Sequence, residues 1–381
     1  MLPRNRVLEA LNHREPDKIP RDLGSPETTL WPSIASKLYK YFNIDEKVIF
    51  MDQRTRSVSL PEKILEKFNI DTRWVYMKPA RSAKDKIQKL TDGLYIKDDW
   101  GMEFVLHSKD SRPEYKKFPL SHALDEDDIE KHSWPDPFDS KRVLGLREEA
   151  KRFYDRGFAV GIKFGGVWER SWYLRGMEQI MIDLAINPTF AYSLFRKILD
   201  IQLKMYDFVL QEIGKYLSIV CFSSDMGTQS SLLISPDLWR KYIRPCDQEL
   251  VNLFKRKTKA KIAHHACGSV RNLISEYIEM GIEILNPIQT TAIGMDPYEL
   301  KREFGRDICF WGGIDTQNVL PFGSTYEVSK HVKKIINAFS EGGGYLFATC
   351  QNIQDDVPLE NIMKIYDTLN KYGPYKTYGK K

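Results

Sequence analysis

The sequence has little of what marks a membrane, secreted or nucleotide-binding protein. No uninterrupted apolar run of about 18 residues offers a membrane span, and Met1-Leu2-Pro3-Arg4-Asn5-Arg6 opens without the apolar stretch of a secretory signal. A cytoplasmic protein is expected. Five cysteines, an odd number in a chain of 381 residues, argue against a disulfide framework. They leave Cys221, Cys246, Cys267, Cys309 and Cys350 as reduced thiols, either inert in the core or free to bind metal. Neither Gly-x-Gly-x-x-Gly nor a Walker loop occurs, so dinucleotide and nucleoside triphosphate chemistry has no support. With no low-complexity tract, short repeat or Pro/Gly/Ser-rich linker, the chain reads as one domain over residues 1–381. The formal charge is only +5, and clusters such as Lys255-Arg256-Lys257-Thr258-Lys259 read as solvated helix faces, which argues against a nucleic-acid partner.

What is present is alternation. Short apolar strands are expected at Lys18 to Leu23, Asp71 to Met77, Phe158 to Phe164, Leu217 to Phe222, Lys261 to His265, Ile282 to Leu285, Asp307 to Trp311 and Gly344 to Ala348. Amphipathic helices separate the later ones. One follows Ser269 with the stripe Val270, Leu273, Ile274, Tyr277 and Ile278, and stops at Gly281. Another starts at a Ser324/Glu327 capping box, and a third opens on Asp296-Pro297. Eight strands alternating with helices predict a single (β/α)8 TIM barrel with an N-terminal helical extension. Between Leu94 and Leu120, apolar and polar residues alternate around Gly101, which predicts a β-hairpin insert placed as a flap over the barrel mouth.

The chemistry-bearing segment is Ala263-His264-His265-Ala266-Cys267-Gly268, where a strand passes into its following loop at the catalytic end of a barrel. Cys350 ends the last expected strand at the same face. One imidazole and two thiolates suit Zn2+, and three protein ligands leave a fourth position open for catalysis. His-x-Cys spacing alone is a weak signal, and on spacing alone inert core cysteines are the commoner reading. Of the two histidines only one can face the barrel interior, and His265 shares parity with Cys267.

From Arg6-Val7-Leu8-Glu9-Ala10-Leu11-Asn12-His13-Arg14-Glu15-Pro16-Asp17-Lys18-Ile19-Pro20 to Pro358-Leu359-Glu360-Asn361, the chain resembles the uroporphyrinogen decarboxylase superfamily. It is most similar to the corrinoid-dependent methyltransferase branch, the methylcobalamin:coenzyme M type. The resemblance implies a barrel and a zinc site of pattern His-x-Cys followed much later by Cys, which His265, Cys267 and Cys350 match. The decarboxylase branch holds its tetrapyrrole acetates with an Arg-rich segment of the type Pro-Val-Trp-x-Met-Arg-Gln-Ala-Gly-Arg. Here that stretch is Ile19-Pro20-Arg21-Asp22-Leu23-Gly24-Ser25-Pro26, with one arginine, and Cys350-Gln351 stands where a decarboxylase carries His-Gly.

The resemblance therefore implies a zinc-dependent methyltransferase that exchanges a methyl group between a corrinoid and a thiol or methylated small molecule. No Asp-x-His-x-x-Gly segment is present to hold cobalamin, so the corrinoid is expected on a partner protein, and a homodimer is compatible with the sequence. A tetrapyrrole decarboxylase and a non-catalytic ligand-binding barrel are the rival readings. Among catalytic candidates at strand ends, Glu169 reads as a fourth zinc ligand or general base, against a plain ion pair with Arg170 or Arg175, and Asp225 as a hydrogen-bond acceptor for substrate or partner, against an N-cap or loop acid. Asn286, Gln289 and Asp315 aim amide and acid groups at the cofactor face, or close turns. Trp168, Trp172, Tyr173 and Trp311 are candidates for an apolar wall, or for packing.

Overall fold

The computed structural model describes residues 1–52, 54–80, 87–90, 93–108 and 111–375. Two short strands, β1 (Ile49–Asp52) and β2 (Ser57–Ser59), pair antiparallel ahead of the first barrel strand, β3 (Thr72–Val75). The insert follows as β4 (Ile87–Leu90), β5 (Gly93–Lys97), β6 (Glu103–Leu106) and β7 (Glu114–Lys117), each antiparallel to its neighbour. It is thus a four-stranded meander that begins before Leu94, larger than the expected hairpin; residues 109–110 of that span lie outside the described ones. Its small core of Ile96, Met102, Phe104 and Leu106 lies on β5, β6 and the turn between them, and β4 and β7 extend the sheet on either side.

The remaining strands are β8 (Ala159–Gly165), β9 (Ile219–Ser223), β10 (Lys261–His265), β11 (Ile284–Asn286), β12 (Cys309–Ile314) and β13 (Tyr345–Thr349). With β3 they form one parallel sheet in chain order, each joined to the next through helices, as right-handed βα units require. The expected first strand is present only as a stave. Pro20 removes a ladder donor, and what remains is Phe347 N–H to Pro20 O at 2.9 Å, Asp22 N–H to Phe347 O at 2.8 Å and Asp71 N–H to Arg21 O at 3.0 Å. Those bonds join Pro20–Asp22 to β13 on one side and to the residue before β3 on the other, which closes the barrel.

Inside the barrel, Trp74 and Trp311 stack with ring centroids 5.3 Å apart, and both indoles donate to Asp22. Thr28 and Thr72 donate to the same carboxylate, so this buried acid is a four-donor hub among Cys221, Ala263, Ile284, Leu346 and Ala348. Gly161 makes room for it, because a Cβ there would lie 2.7 Å from the Trp74 ring. The N-terminal helix Pro3–Leu11 turns Val7 and Leu11 onto this interior cluster. Among the described residues, no helix is long and apolar enough to cross a membrane.

Three helix ends read from sequence are observed. Gly281 takes φ 86° after Ile274–Met280, the Ser324/Glu327 capping box opens Thr325–Phe339, and Asp296 caps Pro297–Phe304.

Candidate functional site

The parity of β10 separates the tandem histidines. His264 faces the helical layer, wedged between Phe222 and Tyr277 with ring centroids 4.7 and 4.5 Å away, and neither nitrogen has a partner. His265 faces the barrel interior. Its Nδ1 lies 2.6 Å from Asn286 Oδ1, and Asn286 Nδ2 donates to Trp311 O at 3.1 Å. The second bond fixes the amide, so Oδ1 is the atom facing His265; Nδ1 must then carry the proton and Nε2 must be bare. Burial, aided by the Lys163 charge, pushes the imidazole down to about 3, so it is neutral at ordinary pH.

Around the bare Nε2 stand Cys267 Sγ at 3.4 Å, Glu27 Oε2 at 3.4 Å and Asp225 Oδ1 at 3.7 Å. Ligand atoms of Asp225, His265 and Cys267 all lie within 4.8 Å of one another. Cys267 is held from both sides: its N–H donates to Asp225 Oδ1 at 2.8 Å, and Gln351 Nε2 donates to its sulfur at 2.9 Å. The next residue, Gly268, has φ 82°, and a Cβ there would come within 2.3 Å of Thr228 O, so the loops after β9 and β10 press together through glycine. Glu169 opens the helix after β8 and accepts from Ser223 Oγ at 2.7 Å and from Asp225 N–H at 3.3 Å. Neither suggested ion pair forms, since Arg175 pairs with Asp183 at 2.7 Å and Arg170 faces Asp98 at 3.6 Å. Burial first, then the Asp225 charge, raises Glu169; burial likewise raises Asp225, and burial with Asp225 lifts the Cys267 thiol well above its usual range.

Such a set of converging lone pairs, each group driven toward its neutral form, is a fitting cradle for a divalent cation, which would supply the missing positive charge. One imidazole, one thiol and carboxylates match the donors zinc takes. Cys350 is placed differently from His265 and Cys267. Its thiol is buried, donates to Ile288 O at 2.9 Å and is raised to about 12 by burial. It lines a small recess with Gln289, Asp315 and Gln317 beside the cluster.

The other expected residues hold loops. Gln289 Oε1 accepts from Gly268 N–H at 2.5 Å, and Asp315 accepts from the N–H groups of Gln317, Asn318 and Val319. Trp172 and Tyr173 line the site cavity, whereas Trp168 is buried with its indole on Asp225 O, and Trp311 belongs to the barrel interior. Two contributors lie outside the set expected from the sequence. Glu27 follows the closing stave in Gly24-Ser25-Pro26-Glu27, and Lys163, the one charged residue of β8, forms an ion pair with it. A lone lysine at an inward position of an apolar strand was the available signal.

The cavity in front of this cluster has a volume of about 330 Å3 and is lined by Glu27, Lys163, Glu169, Asp225 and His265. Arg21 does not reach it: its guanidinium donates to Phe68 O at 3.1 Å and Asn370 Oδ1 at 2.8 Å on the outer side of the barrel.

The sequence profile of the uroporphyrinogen decarboxylase (URO-D) family matches residues 77–372. Among solved structures, a methyltransferase from Methanosarcina mazei superposes with a TM-score of 0.66 at 15% identity, over 98% of this chain and 99% of that one, a shared fold. A B12-independent methionine synthase from Shewanella sp. W3-18-1 aligns with a TM-score of 0.44 at 10% identity, over 81% of this chain and 83% of its own. No curated protein matches the sequence.

Proposed function

The chain belongs to the uroporphyrinogen decarboxylase (URO-D) family, and we propose that it is a cytoplasmic, single-domain, zinc-dependent methyltransferase that works with a corrinoid protein. The observation that carries the reading is the bare Nε2 of His265, presented to Cys267 and Asp225 by a tautomer lock on the far side of the ring. His265 and Cys267 would hold the metal, with Cys350 or Asp225 as the third ligand. Bound there, zinc supplies Lewis acidity, which keeps an incoming thiol as thiolate or polarises the heteroatom of a methyl donor.

The chain's own residues do the rest. Asn286 fixes the His265 ring, and Gln289 and Asp315 hold the loops that end β11 and β12. Glu169 and Asp225 stand at the cavity wall with raised proton affinity, which suits their carboxylate forms to take up the proton of a substrate thiol and their acid forms to return it. Lys163 offsets the negative charge of Glu27. The corrinoid, carried by the partner, would meet the substrate at the open mouth, since the sequence has no cobalamin-binding segment of its own. A homodimer is compatible with this arrangement.

Arg21 speaks against tetrapyrrole decarboxylation. The single arginine of the early segment is spent on Phe68 and Asn370 instead of facing the cavity. The test is metal analysis of the purified protein together with methyl exchange between free methylcobalamin and a small thiol, followed by the cobalamin absorption spectrum. About one zinc per chain with thiol-dependent demethylation is expected. Protein without zinc and without exchange would sink the reading.

A further inference from the structure

The cavity in front of His265 does not end there. It shares Met51, Asp52, Arg54, Met77, Gly165 and Arg170 with a second cavity of about 450 Å3 beside the insert. Phe50, Ile96, Trp100, Phe104 and Met205 give that second space an apolar wall, alongside charged groups at Lys78, Lys97, Asp98, Asp99 and Arg142, the last two paired with each other. Rings and thioethers of this kind accommodate flat apolar bodies.

Two guanidiniums stand where the cavities meet, and neither is saturated. Arg54 Nη1 and Arg170 Nε and Nη1 are shut off from solvent without a hydrogen bond. The nearby acids engage them loosely, Asp52 at 3.3 Å from Arg54 Nη2 and Asp98 at 3.6 Å from Arg170 Nη1. Aromatic faces hold both cations in place, Tyr173 at 4.4 Å from Arg54 and Trp100 at 4.5 Å from Arg170. A desolvated guanidinium N–H left unpaired is costly, and its fork geometry matches a carboxylate or sulfonate. An apolar cavity with a few anchored polar donors is the usual form of a small-molecule site.

We infer that the joined cavities bind a small molecule with one anionic group seated on Arg54 and Arg170 and an apolar, ring-bearing body beside the insert. Its reacting end lies in the smaller cavity beside His265. Only this last clause rests on the proposed function; the binding mode stands on the cavities and the two arginines. The insert is then a specificity element, since Ile96 of β5 and Phe104 of β6 wall the body's space.

The probe is naphthalene-2-carboxylate, titrated calorimetrically into the full chain in metal-free and zinc-treated forms, beside its neutral isostere 2-naphthalenemethanol and beside acetate. We expect the acid to bind about 10-fold or more tighter than the alcohol, the worth of one charge-assisted pair, and acetate to show no measurable binding. Naphthalene-2-sulfonate in parallel decides which anion fits better. Arg54→Gln and Arg170→Gln should each weaken the acid about 10-fold and leave the alcohol unchanged, whereas Met205→Trp should weaken both ligands. Equal affinity for acid and alcohol, or no binding of the acid, overturns the inference and needs no variant. Acid binding in a protein that takes up no zinc leaves it standing while the methyltransferase reading fails. Zinc uptake with thiol-dependent exchange, but no binding of the acid, overturns the inference and leaves the methyltransferase reading standing.

Discussion

Asn286 Oδ1 sits 2.6 Å from His265 Nδ1 and is itself oriented by the bond from Asn286 Nδ2 to Trp311 O. Two hydrogen bonds in series thus decide which nitrogen of a buried imidazole offers its lone pair to the cavity. The stacked Trp74–Trp311 pair, pinned through both indoles to Asp22, anchors the far end of that series in the barrel interior.

Removing the lock should therefore loosen metal without removing a ligand. Asn286→Ala frees the ring to adopt either tautomer, and zinc affinity is expected to fall about 10- to 100-fold, as for other partners that orient a metal-bound histidine. Asn286→Asp keeps an acceptor for Nδ1–H and should lose less. Competition against a chromophoric chelator reads both, and unchanged affinity in Asn286→Ala would show that the ring needs no orienting partner.

The tandem histidines should behave oppositely. His265→Ala is expected to abolish zinc uptake. His264→Phe replaces an unpartnered imidazole with a ring among Phe222 and Tyr277, so zinc content should stay at the wild-type level and the melting temperature should not fall. Burial pushes His264 down to about 3, so this residue carries no charge at neutral pH to be lost. Metal analysis and thermal melts of the two variants check the pair, and loss of zinc in His264→Phe would overturn the parity argument.

These residues also mark how far the sequence could be read. Strand alternation decided which histidine faces inward, because period 2 is a local property of the chain. Helix stops at Gly281 and the Ser324/Glu327 cap were legible for the same reason. Glu27 and Lys163 were not, since their ion pair joins the first stave to β8 across the mouth, and no local pattern records it. The insert was seen as alternation around Gly101 but undercounted, because pairing of β4 and β7 with the inner strands depends on register, not on composition. The direction of the Cys350 thiol was equally invisible, for parity places a residue on a face but does not choose its rotamer.

A stability prediction concerns the N-terminal helix. Arg6 holds both oxygens of Asp17, at 2.6 and 2.7 Å. Burial by itself would raise this carboxyl, and the Arg6 bonds and charge more than offset it, so the folded value falls to about 2. A depressed carboxyl contributes stability that is present above its unfolded value near 4 and lost as pH drops through about 2. Solvent screening at Asp17, which is partly exposed beside a buried Arg6, reduces the contribution to about 1 kcal/mol. Asp17→Asn should cost about that much in urea unfolding at pH 7 and almost nothing at pH 2. An equal cost at both values would assign the effect to packing instead of charge.

Uroporphyrinogen should not be a substrate. Arg21 is committed to Phe68 O and Asn370 Oδ1, and the cations that line the cavity in front of His265 are Lys163, paired with Glu27, and Arg54 and Arg170. That is too few to meet a ring of acetates and propionates. Incubation with uroporphyrinogen under reducing conditions is expected to give no coproporphyrinogen above the no-enzyme control, and product at enzyme-like rates would return the chain to the decarboxylase reading.

The third metal ligand is the sharpest open choice, and the two candidates make different demands on the protein. Asp225 already stands with His265 and Cys267, whereas Cys350 must give up its bond to Ile288 O and swing its thiol toward the cluster. Family resemblance favours the cysteine, and a second thiolate is the softer donor. If Cys350 ligates, zinc uptake releases its proton, and Cys350→Ala loses zinc nearly completely while Asp225→Asn retains most of it. If Asp225 ligates, the losses are exchanged, and Cys350→Ser binds zinc as the wild type does. Cobalt substitution adds a reading that neither content nor activity gives, since each bound thiolate contributes charge-transfer absorption in the near ultraviolet. We expect the two-thiolate intensity in wild type and half of it in Cys350→Ala supplied with excess cobalt. One-thiolate intensity in both proteins would assign the site to Asp225, His265 and Cys267.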